Sequence, residues 1–142
     1  KLFKEGSVSL RFLGSVEKAG EPLCSVIGQT EKDTLFCSPF TLNILLGYGG
    51  RAEIIRAARL LSEKNEEFTA ENFEKELYTS GLSDPDLIIR TGGEKRLSGF
   101  IPYQSTYSEL YFCDTLFPDF GEEDISAALS DYSGRNRRFG KI

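Results

Sequence analysis

Polar and apolar residues alternate along Ser7-Val8-Ser9-Leu10-Arg11-Phe12-Leu13 up to Gly14, and that period of two predicts a strand. Residues Pro22–Thr34 mix polarity in the way of a short helix, and Phe40 to Leu46 forms a second apolar run. Gly47-Tyr48-Gly49-Gly50-Arg51 ends that run, after which Ile54, Ile55, Ala57, Ala58, Leu60 and Leu61 recur at helical spacing. Strand, glycine turn and helix in this order make an α/β unit. The turn itself reads as tight strand–helix packing ahead of ligand contact.

Glu63, Lys64, Glu66 and Glu67 form a charge run that suits a solvated face. A helix is expected over Glu71–Tyr78, with Thr69 or Ala70 at its cap and Phe73 and Leu77 on one face. Asp86-Leu87-Ile88-Ile89 follows a proline and reads as a short buried strand, and Ser108–Cys113 as another. Glu122–Tyr132 is amphipathic: Ile125, Ala128, Leu129 and Tyr132 share a side, and acids fill the first turn. With no internal repeat and loops of ordinary length, residues 1–142 are expected to form a single domain.

Composition narrows the chemistry. The net charge of -5 argues against a nucleic-acid partner. Without histidine, a zinc site is short of ligands and a Ser–His or Cys–His dyad is impossible. Cys24, Cys37 and Cys113 form no CxxC and read as free buried thiols in a reducing compartment. No apolar run reaches the length of a membrane span. The chain has no methionine, so Lys1 is not expected to be a natural start of translation.

The densest chemistry lies in Asp84–Phe120. There Arg90 and Arg96 flank the turn signal Gly92-Gly93, and Ser98 adds a hydroxyl. Guanidiniums fork onto phosphate oxygens, and glycine amides bared at positive φ form an anion nest. On spacing alone, a phosphate site competes evenly with surface pairing of Arg90 and Arg96 to Glu94 and Glu109. The terminal run Arg135-Asn136-Arg137-Arg138-Phe139-Gly140 reads by composition as a basic tail.

The string as a whole resembles the cis-prenyltransferases, the family that makes undecaprenyl and dehydrodolichyl diphosphate. Their pattern PDLxIRTGGExRLSxF is met by Pro85-Asp86-Leu87, Ile89 to Glu94, Arg96-Leu97-Ser98 and Phe100. Gln104, Tyr107, Glu109 to Phe112 and Pro118-Asp119-Phe120 continue the match, LNILLGYGGRAEI resembles the family's LNxxxNYGGRxEI, and Arg135–Gly140 fits RxRRFG. Gly47 stands where the family commonly has asparagine, and Tyr103 where it has tryptophan.

The resemblance implies an α/β fold with a mostly parallel sheet flanked by helices. It covers essentially the whole chain but only the C-terminal part of the family. The N-terminal DGNGRWA segment, with the family's essential aspartate, has no counterpart here, so no catalytic residue is expected in this chain. Arg90, Arg96 and Ser98 are implied to bind the pyrophosphate of isopentenyl diphosphate. Arg135, Arg138 and Gly140 are implied to reach the same group from a partner subunit of a homodimer, a heterodimer being the variant. Glu109 is implied to help hold Mg²⁺, a hard ion suited to a carboxylate and water. The co-substrate is an allylic diphosphate such as farnesyl diphosphate, and the location is cytoplasmic, with peripheral membrane association through the lipid product. The intact central loop favours the acceptor-binding half of an active enzyme; the alternative is a non-catalytic subunit of a heteromeric one.

Overall fold

The structure, a computed structural model, describes residues 8–37 and 39–135. The chain divides into two compact units, Lys1–Gly81 and Leu82–Ile142.

In the first unit, β1 (Val8–Leu13) and β2 (Phe40–Leu45) pair in parallel, Val8 opposite Phe40 and Leu13 opposite Leu45. A parallel pair needs a long crossover, and α1 (Leu23–Thr34) supplies it, preceded by a single 3₁₀ turn at Val16–Ala19. Helix α1 also covers the strand's other side. The Leu10 N–H donates to Thr34 Oγ1 at 3.0 Å and the Phe12 N–H to Glu31 Oε1 at 2.7 Å. Alternate amides of β1 are thus satisfied by α1 side chains rather than left as an open edge. On β2 the alternating residues Phe40, Leu42 and Ile44 are all exposed. A polar–apolar period is therefore present there, but among the described residues of this unit its apolar side meets no second layer.

The expected glycine turn is tight, but strand end against strand end rather than strand against helix, and a Cβ on Gly49 would meet nothing within 4 Å. A Cβ on Gly14, at φ +115°, would sit 2.4 Å from the Leu46 carbonyl oxygen, and one on Gly47, at φ +59°, would lie 3.1 Å from that of Ser15. The two strand ends pass too closely for side chains. Helix α2 (Gly50–Lys64) follows and ends where Asn65 turns left-handed at φ 53°. Ala57 and Leu61 are fully buried, whereas Ile55 lies on the outer face, 69% exposed.

Helix α3 (Ala70–Lys75) starts at Thr69, whose side chain accepts the Asn72 N–H at 3.2 Å. It stops short of the expected Tyr78: the amides of Glu76 and Leu77 bond three residues back, to Phe73 and Glu74, and wind the chain into tighter turns. Removing the cap by Thr69→Ala is expected to cost about 1 kcal/mol. A denaturant midpoint lowered at unchanged slope would show it; an unmoved midpoint would refute it.

In the second unit, β3 (Leu87–Arg90) and β4 (Glu109–Phe112) pair in parallel, Leu87 opposite Glu109 and Arg90 opposite Phe112. Strand β4 is shorter than the expected Ser108–Cys113, and β3 is shifted by one residue from the expected Asp86–Ile89 at the same length; of their described residues only Ile88 is buried, the sheet having two strands. Helix α4 (Glu122–Ser133) packs through the fully buried Ala128, while Ile125 and Leu129 remain exposed. Cys24, Cys37 and Cys113 are free, but half-buried rather than buried. Among the described residues, no helix is long and apolar enough to cross a membrane.

Candidate active site

Two polar clusters lie in the second unit, at opposite ends of its sheet. The first begins at Arg90, the last residue of β3, whose carbonyl accepts the Cys113 N–H at 3.0 Å. That bond extends the ladder and anchors the guanidinium's backbone. Gly92 and Gly93 follow at φ +83° and +75°, the turn the sequence calls for.

Their amides, however, do not form an anion nest. The Gly92 N–H donates to the Thr115 carbonyl and the Gly93 N–H to that of Cys113, each at 2.9 Å. The positive-φ turn folds the chain back along the segment leaving β4, and its amides are spent on that segment. Thr115 is itself anchored: its hydroxyl donates to Asp124 Oδ1 at 2.8 Å, and Asp124 Oδ2 accepts the Gly121 N–H at 2.9 Å at the start of α4. These bonds, Gly121's first and Thr115's second, hold the Asp124 carboxyl below the usual carboxylate range. The glycine turn is a structural anchor whose amides are taken up by the segment leaving β4.

Of Arg90, Arg96 and Ser98, Arg90 borders a cleft of about 410 Å³ whose other lining residues are Ile88, Ile89, Thr91, Leu97 and Phe100. The Arg90 Nε is buried there without a hydrogen-bond partner, an arrangement that normally calls for an explanation. Arg96 pairs with Glu94, both well exposed. Such a pair contributes little and exchanges readily. Ser98, at φ +51°, and Gly99, at +82°, form the centre of a tight turn closed by the Phe100 N–H on the Leu97 carbonyl at 2.9 Å. Ile101, buried and β-branched, also sits at positive φ, +36°. Two non-glycine residues in this region mark a loop whose shape costs backbone energy.

The second cluster lies at the start of β4. The register puts Glu109 three positions back from Arg90's level, roughly 10 Å along the strand direction. The structure therefore does not bring Glu109 to Arg90 within one chain. Glu109 Oε2 instead accepts a hydrogen bond from Arg135 Nη1 at 2.7 Å, and Arg135 Nη2 bonds Asp131 on α4. Bonds to Glu109 first and Asp131 second hold the Arg135 guanidinium above its already high ordinary value. Arg138 and Gly140 lie outside the described residues.

A family model described as "Putative undecaprenyl diphosphate synthase" matches residues 1–140. The chain belongs to this family. It is 46% identical over 145 residues to a short-chain Z-isoprenyl diphosphate synthase of Mycobacterium leprae, covering 94% of this chain and 55% of that protein. It is also 46% identical over 148 residues to an isoprenyl transferase of Thermus thermophilus, covering 96% and 56%. The chain thus spans little more than half the length of these curated relatives.

Among solved structures, it matches a probable undecaprenyl diphosphate synthase from Campylobacter jejuni with a TM-score of 0.87 at 36% identity, covering 98% of this chain and 66% of that one. It matches lavandulyl diphosphate synthase from Lavandula x intermedia, in complex with dimethylallyl diphosphate, with a TM-score of 0.89 at 34% identity, covering 94% and 61%. An α/β fold with parallel strands, as the undecaprenyl diphosphate synthase family has, is what the elements above build.

Members of the undecaprenyl diphosphate synthase family use a divalent metal, and Glu109 is the residue here that can be weighed against it. Among the described residues, no three acids, cysteines or histidines cluster into a metal cage. A single part-exposed carboxylate still fits Mg²⁺, which takes one or two carboxylates and completes its shell with water and substrate oxygens. Its oxygen is at present held by Arg135.

Sequence reasoning passed over two residues of note. Glu53 is fully buried and accepts the Tyr48 hydroxyl at 2.5 Å and the Tyr78 N–H at 2.8 Å. The signal was its place four and eight residues before Ala57 and Leu61, a carboxylate on the apolar stripe of α2. Asp131 was signalled by its spacing of four before Arg135.

Proposed function

We propose that the whole protein elongates prenyl chains in the cis configuration, condensing isopentenyl diphosphate onto an allylic diphosphate such as farnesyl diphosphate to make a polyprenyl diphosphate carrier-lipid precursor. On this reading the two units belong to one catalytic domain, and this chain contributes its isopentenyl-diphosphate-binding part. The observation that carries it is the Arg90 cleft: a half-buried cationic side chain whose buried Nε–H is unpaired, beside the apolar surfaces of Ile88, Leu97 and Phe100. A five-carbon alkene carrying a diphosphate has the same two-part character.

Arg90 would fork onto diphosphate oxygens, and Arg96 would leave Glu94 to join it, with Ser98 donating from its turn. Held there, the acceptor alkene would attack the allylic carbon as its C–O bond breaks. Pyrophosphate would depart, and a proton would be lost from the acceptor to leave a cis double bond. Mg²⁺, when bound, neutralises developing charge on the leaving diphosphate, and Glu109 is its proposed ligand in this chain. Arg135, Arg138 and Gly140 would complete the diphosphate contacts across a dimer, and the product lipid would draw the protein to a membrane surface from the cytoplasm.

The test is incorporation of labelled isopentenyl diphosphate into polyprenyl product with farnesyl diphosphate and Mg²⁺. The full-length protein is expected to elongate, and residues 1–142 alone are not. An inert full-length protein, or product from residues 1–142 alone, would overturn the proposal.

A further inference from the structure

We propose that Asp131 is a positioning residue: it holds Arg135 against Glu109 in a clasp that competes with a divalent cation for that carboxylate. The inference rests on the reading of Glu109 as a metal ligand. Its basis is the geometry of Arg135, whose two terminal nitrogens are divided between two elements, Nη1 on Glu109 of β4 and Nη2 on Asp131 of α4.

A free arginine side chain loses considerable rotamer freedom when fixed at one acceptor. Asp131, one helical turn earlier on the same face, fixes one side of the guanidinium fork and presents the other to Glu109. The clasp is accessible: the side chains of Arg135 and Glu109 are each 29% exposed and that of Asp131 is 45% exposed. Ion pairs so placed exchange with competing ions instead of locking shut. A divalent cation at Glu109 meets the positive charge of Arg135 bonded to Oε2 and repels it, so cation uptake favours release of Arg135. The released guanidinium keeps only Asp131 and turns to an anion, such as the diphosphate arriving with the metal.

The experiment measures Mn²⁺ alone binding to the full-length protein, by the paramagnetic resonance of the free ion. Glu109→Gln identifies the component that belongs to Glu109. On that component Asp131→Asn is expected to bind Mn²⁺ about threefold more tightly, the size of a part-exposed ion pair, and Asp131→Glu to restore the wild-type value. Through-space electrostatics predicts the opposite sign, because losing a nearby carboxylate weakens cation binding, and local misfolding would also weaken it. Weaker or unchanged binding in Asp131→Asn with the Glu109 component intact therefore overturns the clasp alone. If Glu109→Gln removes no Mn²⁺ binding, the metal role of Glu109 falls and the clasp with it.

Discussion

Glu53→Ala is expected to destabilise the first unit by about 3 kcal/mol, the range for removing a buried hydrogen-bond acceptor from two donors and leaving a void in its place. The fully buried carboxylate joins three stretches of chain: the glycine turn through the Tyr48 hydroxyl, helix α2 from which it projects, and the segment after α3 through the Tyr78 N–H. Its removal leaves that amide without its acceptor and opens a void beside Ala57 and Leu61. The neighbourhood is already committed: Tyr48 and Tyr78 meet edge to face at 6.3 Å between centroids, and the Arg56 guanidinium lies 4.4 Å from the Tyr78 ring centre while donating to the Glu76 carbonyl. Tyr48→Phe removes one donor and leaves the other in place, with an expected loss of about 1 kcal/mol. A double-mutant cycle between Tyr48→Phe and Glu53→Ala, read from urea midpoints, should return a coupling well above roughly 0.5 kcal/mol because the groups touch. Additive losses, or a Glu53→Ala variant as stable as the parent, would show that Glu53 is not the hub of this unit.

How legible the molecule was depends on whether the signal was local. Strands β1 and β2 and helices α1, α2 and α4 begin and end close to where periodicity and glycines put them, because each carries its own pattern and stop. Helix α3 ended early because the Glu76 and Leu77 amides bond three residues back, a switch that the i, i+4 spacing of Phe73 and Leu77 does not signal. The arginines and serine of the 90–98 loop were legible as a group through the resemblance, and the glycines' positive φ through residue type alone. Where the Gly92 and Gly93 amides would point was not, since that depends on Cys113 and Thr115, some twenty positions downstream. The pairing of Glu109 with Arg135 was hidden for the same reason: a register and a helix docking decide it, and neither is written at those positions.

On the proposed activity, Arg90→Ala in the full-length protein is expected to raise the KM for isopentenyl diphosphate by roughly 10- to 100-fold, the worth of a hydrogen bond between ionised groups. The KM for farnesyl diphosphate should move little. Arg90 is the strongest candidate because its guanidinium starts from a hydrogen-bonded strand end, lines the cleft and has a buried N–H without a protein partner. Ligand binding would satisfy a donor that the folded chain leaves unpaired, so the contact is made without first breaking another. Arg96 differs: it is 66% exposed and must give up Glu94, so Arg96→Ala should cost several-fold less than Arg90→Ala. Arg90→Lys separates charge from geometry, since lysine keeps the charge but cannot make the two-pronged contact; it should recover only part of the loss. Equal penalties at the two arginines, or a KM defect shared by both substrates, would mean that the cleft at Arg90 does not hold the acceptor diphosphate.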